Sequence, residues 1–461
     1  METGVPQNTS KGITLFVAAT ASFAITFMGS SINIALPSID REFALDAVML
    51  GWIATSYLLA AAIFLVPFGR IADIQGRKKV FTYGIVIFTL SSFLSAFSPS
   101  AAIIILLRVL QGFGGAMIYC TGLAMVASVF PPGERGKALG ISVAATYMGL
   151  SIGPVLGGLL TEHFGWRSIF LAVVPLGLAS IVAVLWKMKG DWVEARGEKF
   201  DLAGSVVLSL ALVAMMYGLS LLPAVPGVWL LVTGILGIAA FVWWEMRVES
   251  PVLNVSLFRN NAVFAFSNLT ALLHYSATFA VIFFLSLYLQ YIKGFSPGYA
   301  GLVLVSQPAI MAIFSPVAGR LSDRVEPRWL ASGGMALTVI GLGLLHFLNA
   351  ETPLDFIIAV LALIGLGAAL FSSPNTNAVM SSVDTKFYGV ASATMATLRQ
   401  VGHMTSMGIA MLLLSLYMGR VQITPEYYQL FLGSMRTAFL IFAVLCFAGI
   451  FTSIARGKTR R

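Results

Sequence analysis

The sequence predicts an all-α polytopic membrane protein, made of two six-helix bundles with two further helices inserted between them. Of its 461 residues 58% are hydrophobic and only 10% are charged, which is too apolar for a soluble chain of this length. Apolar runs of about 18–25 residues recur from end to end, each long enough to cross a bilayer as a helix. In addition, two short polar loops occur twice in the same order, which indicates two homologous halves.

Fourteen apolar runs qualify as membrane spans. The first is too long for a signal-peptide core and no small-residue cleavage pattern follows it, so we expect it to remain as a span. The alternative for the seventh and eighth runs is one re-entrant element, which would leave thirteen spans or fewer. The predicted spans cover residues 13–36, 48–68, 80–97, 102–127, 138–160, 167–186, 201–222, 228–245, 262–290, 299–318, 329–348, 355–380, 389–415 and 436–455.

The repeated loops define the organisation of the chain. The loop that starts at Gly69 is echoed 250 residues later at Gly319, and the glycine of a second loop, Gly136, is echoed at Gly389. Six spans with short loops need only about 180–190 residues, so this offset leaves room for two extra spans. We therefore expect three parts: an N-terminal six-helix bundle at 1–187, a cytoplasmic connector with two extra helices at 188–257, and a C-terminal six-helix bundle with a basic tail at 258–461.

The net charge of +9 reflects membrane topology. With fourteen spans, 21 of the 28 Lys and Arg residues fall on the side of both termini, five fall on the other side and two fall within spans. The positive-inside rule then places both termini in the cytoplasm of a multi-pass protein of the cell membrane. The orientation of the chain in the lipid bilayer explains why the sequence is basic, and no nucleic-acid partner is expected.

Several motifs, taken in order, resemble those of the major facilitator superfamily, and specifically its fourteen-span drug:proton antiporter branch. The resemblance covers nearly the whole chain. It rests on residues 30–37, 69–79, 108–116, 149–158, 287–290, 373–376 and 398–402.

The loop after the second span is similar to the superfamily's signature loop. Gly69 and Gly76 allow tight turns and close helix approach. Asp73 can accept hydrogen bonds from helix N-termini or pair with a cation. The resemblance implies that it helps to lock the cytoplasmic side shut, with Arg135 as a plausible partner. The expected gating set is Gly69, Asp73, Gly76, Arg77, Arg135 and Asp323, the last in the degraded second copy.

The fifth span resembles the antiporter motif. Small residues at four-residue spacing let helices approach closely, and proline bends a helix. The resemblance links this bend with antiport, and the alternative is ordinary helix packing. The motif residues are Gly149, Gly153, Pro154, Gly157 and Gly158.

Proton coupling needs a group that titrates, yet the nineteen acidic residues all lie in loops or at span ends. Met28 stands where the branch's first span usually carries an aspartate. Ionisable groups inside spans are functional candidates by default, and histidine suits proton transfer. The alternative is that they only bond to backbone carbonyls or pack, although the resemblance places His274 in the central cavity. The coupling candidates are Arg108, His274, Arg399, His403 and the mouth carboxylates Asp40 and Asp355.

A loosely selective cavity is mostly apolar with a few polar groups. The alternative for each such residue is a hydrogen bond between helices. Without a deep carboxylate, the cavity should favour neutral or anionic cargo over organic cations. The cavity candidates are Ser30, Ser31, Asn33, Gln111, Asn268, Tyr275, Gln290, Asn375 and Asn377.

The resemblance implies a secondary active transporter that exports drugs or other amphipathic small molecules in exchange for protons. An exporter or facilitator of an endogenous metabolite without proton coupling is the alternative within this class, and a non-transporting sensor or scaffold is the alternative outside it. The sequence lacks a zinc-protease or phosphate-binding-loop motif. We therefore expect no enzyme activity, no ATP-driven pumping, no cofactor and no metal site.

Overall fold

A computed structural model describes residues 11–188, 190–193, 200–248, 251–253, 255–322, 324–384 and 388–457. In these ranges the chain forms helices joined by short connections, without a β-strand. Backbone polar groups find no water in a bilayer core, and helices satisfy those groups within one segment. The apolar runs therefore become helices, as the sequence predicts.

The N-terminal half consists of long helices that follow the predicted spans. Asp46 and Ser100 fix two of the helix starts, because their side chains accept hydrogen bonds from backbone amides of the first turn. The sixth predicted span, 167–186, is formed by two consecutive shorter helices. The helices are α1 (Lys11–Phe43), α2 (Ala47–Gln75), α3 (Arg77–Ser95), α4 (Ala101–Val129), α5 (Pro132–Phe164), α6 (Arg167–Ala172) and α7 (Val174–Lys187).

The two inserted runs form separate helices, α8 (Leu202–Leu221) and α9 (Val225–Glu245), which pack against each other. Each is long and apolar enough to cross a membrane. The two runs therefore do not form a single re-entrant element. Helix α8 also packs on α2 and on the C-terminal-half helix Tyr388–Met418, so the inserted pair contacts both halves.

The C-terminal half repeats the arrangement. Its first long helix continues into a π-helical turn at Tyr288–Ile292, and a short 3-10 turn at Pro425–Tyr427 precedes its last helix. The helices are α10 (Ser256–Asn260), α11 (Ala262–Leu287), α12 (Pro297–Leu304), α13 (Ser306–Ser322), α14 (Pro327–Leu345), α15 (Leu354–Ser381), α16 (Tyr388–Met418) and α17 (Tyr428–Ala455).

Thirteen stretches of the described chain are long and apolar enough to span a membrane, against the fourteen expected. The difference is α3, which occupies the predicted span 80–97 but starts at Arg77. Three basic residues at its start, Arg77, Lys78 and Lys79, lower its mean hydropathy. The count of fourteen spans and the cytoplasmic termini therefore stay predictions.

Candidate functional site

A cavity of about 1600 Å³ lies between the two halves. Helices α2, α4, α5 and the first residue of α3 line it from the N-terminal half, and α11, α13, α15 and α16 line it from the C-terminal half. It extends to the end of the bundle that carries Asp73 and Arg135, which we call the open end. The opposite end, which carries Asp40, is called the closed end.

The charge of the described lining residues is mainly positive. Three arginines, Arg77, Arg135 and Arg399, line the cavity with one acid, Asp73. Asp73 lies at the open end, and its Oδ1 is 2.9 Å from Nη2 of Arg77. The acid is therefore already paired with a cation.

Arg399 lies deeper in the cavity, on α16. Its Nη2 donates a hydrogen bond of 2.6 Å to the hydroxyl of Tyr119 on α4, and its guanidinium lies 5.3 Å from the centre of that ring. Tyr147 and Tyr275 also line the cavity and interact with Arg399. Among the described residues Arg399 has no ion pair with a carboxylate. A guanidinium surrounded by phenol groups is a polar, aromatic and electropositive centre.

Only two of the nine predicted cavity residues, Tyr275 and Asn377, line the cavity. The residues that sequence reasoning missed include Tyr119, Tyr147 and Ser151. A signal was available in α5, where Tyr147 and Ser151 lie four residues apart and both line the cavity. Residues at such spacing share one helix face.

Ser30 and Ser31, predicted for the cavity, pack α1 against α5 instead. Ser30 Oγ donates to the carbonyl of Gly149 at 3.2 Å, and Ser31 Oγ donates to the carbonyl of Gly153 at 2.9 Å. A Cβ at Gly157 would lie 2.6 Å from that of Ser31, so the helices approach too closely for a larger residue. The predicted close packing of the glycine motif is thus observed within the N-terminal half.

The end of the same motif contacts the other half. A Cβ on Gly158 would collide with the backbone carbonyl of Pro297 in α12, and a Cβ on Gly301 of α12 would collide with the carbonyl of Pro154. The motif therefore serves two interfaces, one within the N-terminal half and one between the halves.

Asn33 and Gln290 lie at the closed end, outside the cavity. The backbone carbonyl of Asn33 accepts a hydrogen bond of 2.7 Å from Ser286, and Gln290 Nε2 donates to the carbonyl of Ile34 at 3.0 Å. Asp40 is buried next to them and accepts hydrogen bonds from the Leu45 amide and the Tyr291 hydroxyl. These contacts join α1 to α11 and its π-helical turn, and so close this end.

Arg108 and Gln111 form a buried polar cluster within the N-terminal half, away from the cavity lining. The guanidinium donates to Gln111 Oε1 at 2.6 Å and to the Ile53 carbonyl at 3.2 Å, and lies over the ring of Tyr57. Gln111 in turn donates to Ser92 at 2.7 Å. This network joins α2, α3 and α4, and Gln111, predicted for the cavity, does not line it in this conformation.

The two histidines among the coupling candidates, His274 and His403, pack against aromatic rings. His274 is 2% exposed, stacks on Phe371 at 4.0 Å, and does not line the cavity, contrary to expectation. His403 stacks on Phe279 at 4.4 Å and meets Tyr275 edge to face at 5.2 Å. His403 therefore touches a cavity-lining side chain, whereas His274 belongs to the interior of the C-terminal bundle.

Asn268 and Asn375, also predicted for the cavity, are buried beside the end of α17. Asn268 donates to the Phe264 carbonyl, and Asn375 donates to the Ser267 carbonyl and accepts a bond of 3.0 Å from Arg456. They hold helices together. Met28 is likewise buried in the core, so the position of the branch's usual aspartate does not line the cavity in this conformation. Asp355 is exposed at the start of α15.

The signature loop after α2 has a contact that was not predicted from the sequence, with Asp191 of the connector. Gly76 has φ = 114°, a conformation that favours glycine. The carboxylate of Asp191, in the connector, accepts hydrogen bonds from the amides of Lys78 and Lys79 and so caps α3. Asp73 is paired with Arg77, and Arg135 bonds to the Phe130 carbonyl. Asp323 lies outside the described residues.

Comparisons with known proteins identify the family. The sequence profile of the Major Facilitator Superfamily matches residues 18–267 and 267–460. The chain belongs to this superfamily. It is thus a multi-pass integral protein of the cell membrane, in a family of transporters.

Relatives in this family differ in their named cargo. The riboflavin transporter RibZ of Clostridioides difficile (strain 630) is 31% identical over 85% of this chain and 85% of its own length. The multidrug resistance protein Stp of Mycobacterium tuberculosis (strain ATCC 25618 / H37Rv) is 32% identical over 88% of this chain and 76% of its own. A solved bacterial homologue of the human lysosomal transporter Spinster has a TM-score of 0.68 at 16% identity, covering 97% of this chain and 98% of that one, which supports the fold.

Proposed function

We propose that this protein exports amphipathic small molecules across the cell membrane by alternating access, in exchange for protons. The observation that carries the proposal is the large cavity between two homologous halves, open at one end and closed at the other by hydrogen bonds between the halves. A site of this form can release its contents to the other side when the halves rock about it. The volume exceeds the ~300–1,000 Å³ typical of small-molecule pockets, which suits bulky or varied cargo.

The open end faces the cytoplasm in this proposal. It carries Arg77, Lys78 and Lys79 next to the cavity mouth, as well as Arg135. The positive-inside rule assigns such a basic end to the cytoplasm. With α3 counted as the fourteenth span, both termini lie there too, and cargo enters from the cytoplasm.

Asp40 is the best placed of the candidate coupling groups. Its carboxylate accepts the Tyr291 hydroxyl hydrogen from the other half, so it contributes directly to closing one end. A proton on Oδ2 would remove the charge and compete with the Tyr291 hydrogen for that oxygen. Proton binding from outside would thus favour opening of the closed end, which links the proton to the conformational change.

The test is efflux from cells loaded with fluorescein, with cationic rhodamine 123 or with neutral N-phenyl-1-naphthylamine, with and without the gene and a protonophore. We expect gene-dependent efflux of at least one dye, abolished by the protonophore. Asp40→Asn should lose the response to an imposed pH gradient in reconstituted vesicles. Asp46→Asn, at the N-cap of α2 six residues further on, should keep it, since asparagine also caps a helix. Efflux of none of the dyes would contradict the export proposal.

The alternative within the class is an exporter or facilitator of a metabolite without proton coupling. The absence of a carboxylate deep in the described part of the cavity favours it, as does the relative named as a riboflavin transporter. Efflux that persists with the protonophore would support this alternative.

A further inference from the structure

We propose that Arg399, with Tyr119, Tyr147 and Tyr275, forms a recognition site for amphipathic organic anions that carry an aromatic part. The inference rests on the transport function proposed above and names the class of its cargo. The four side chains meet at the deep part of the cavity, where both halves contribute.

The first argument is the unbalanced charge of Arg399. Its hydrogen-bond partners among the described residues are neutral phenol hydroxyls, that of Tyr119 at 2.6 Å and that of Tyr275. A guanidinium has five N–H donors in a fixed fork that matches a carboxylate or a sulfonate. The acid of the described lining, Asp73, is at the open end and paired with Arg77, so it does not neutralise Arg399.

The second argument is the aromatic surround. Phenol rings offer flat faces for an aromatic ligand and hydroxyls for its polar edge. Tyr275 is held in place by edge-to-face contact with His403 at 5.2 Å. The residues around Arg399 therefore suit a planar apolar body joined to a negatively charged group.

The third argument links the site to movement. Tyr119 belongs to α4 and Arg399 to α16, so they come from opposite halves. An anion that replaces the Tyr119 hydroxyl at Arg399 would touch both halves at once. Binding at such a position can change the relative stability of the two conformations.

The experiment compares fluorescein with rhodamine 123, which have similar ring systems and opposite charge. Full-length protein in nanodiscs is titrated into each dye by fluorescence anisotropy, at a pH where fluorescein is anionic. We expect tighter binding of fluorescein. Arg399→Gln should weaken fluorescein binding about tenfold, equivalent to about 1.4 kcal/mol, and leave rhodamine 123 binding unchanged or stronger. Arg399→Lys should retain part of the fluorescein affinity.

Two further variants keep the test decisive. Arg247→Gln is the matched control, because Arg247 stacks on Trp243 at the end of α9, outside the cavity lining. Tyr119→Phe removes the hydroxyl that competes for Arg399 and should keep or strengthen fluorescein binding, so it tests the site even if Arg399→Gln fails to fold.

Tighter binding of rhodamine 123 than of fluorescein would overturn the anion site. So would an equal loss of affinity for both dyes in Arg399→Gln. If rhodamine 123 is nevertheless exported by cells, the export function stands and only the cargo class is wrong. If fluorescein is not bound, the anion site is wrong, and if in addition none of the three dyes is exported by cells, both proposals fail.

Discussion

The hydroxyl of Tyr291 donates a hydrogen bond to Oδ2 of Asp40, and the two residues come from opposite halves of the chain. Ser286 and Gln290 add bonds to the carbonyls of Asn33 and Ile34. The closed end is therefore held by polar contacts between the halves. Opening it requires these bonds to break, which makes each of them a control point for the conformational equilibrium.

Tyr291→Phe should shift the protein toward opening of the closed end. Loss of a buried hydrogen bond to a carboxylate costs about 1.5–3 kcal/mol, a large bias for a two-state equilibrium. The measurement is a spin-label distance between cysteines at Arg41 and Glu351, both exposed at this end. Tyr288→Phe is the control, since the Tyr288 hydroxyl bonds to Asn349 within one half. If the spin-label distance were the same in Tyr291→Phe and Tyr288→Phe, the bond between Tyr291 and Asp40 would not control opening of the closed end.

Gly153→Ala should destabilise the N-terminal bundle by about 1–3 kcal/mol, the usual cost of overpacking. The added methyl would collide with the Ser30 hydroxyl. Gly140→Ala in the same helix is the matched control, because a Cβ there meets no atom within 4 Å. Thermal unfolding in detergent compares the two, and similar melting temperatures would argue against close α1–α5 packing.

Arg108→Gln should lower stability without changing the choice of cargo. It removes the donor to Gln111 Oε1 and the cation over Tyr57. Leaving buried acceptors unpaired costs about 1–3 kcal/mol each. Melting temperature and dye binding are measured together, with exposed Arg247→Gln as the control. An Arg108→Gln protein of normal stability that no longer discriminates between dyes would reassign Arg108 to cargo recognition.

Asp191→Ala should loosen the connector from the signature loop. Asp191 caps α3 through the amides of Lys78 and Lys79, and a lost cap costs about 0.5–2 kcal/mol. We expect faster proteolysis in the connector. Asp355→Ala, which changes an exposed acid at the start of α15, should be cleaved at the wild-type rate. Equal protection of both variants would show that Asp191 does not hold the connector.

Much of the fold follows from the sequence because span length and helix caps are local properties. The predicted span 102–127 is observed as Ala101–Val129, with Ser100 as its cap. The start of α3 differs by three residues because Arg77, Lys78 and Lys79 are helical but not apolar. The boundary of a helix and the boundary of its apolar part are different quantities.

The cavity is harder to predict because these helices are apolar on most faces, so polarity does not reveal which face looks inward. Ser30 and Asn33 are buried polar residues, yet Ser30 packs against α5 and Asn33 lies at the closed end. Arg108 and Arg399 look alike in sequence. Only the packing of neighbouring helices makes the first a structural residue and the second a lining residue.

The central claim is that the cavity opens alternately at its two ends. The direct test is a pair of spin-label distances in protein with Cys120 and Cys446 replaced by serine: Lys137 to Val390 across the open end, and Arg41 to Glu351 across the closed end. On adding a transported dye, we expect the first distance to shorten and the second to lengthen. Distances that stay fixed at both ends while the dye is being transported would contradict alternating access.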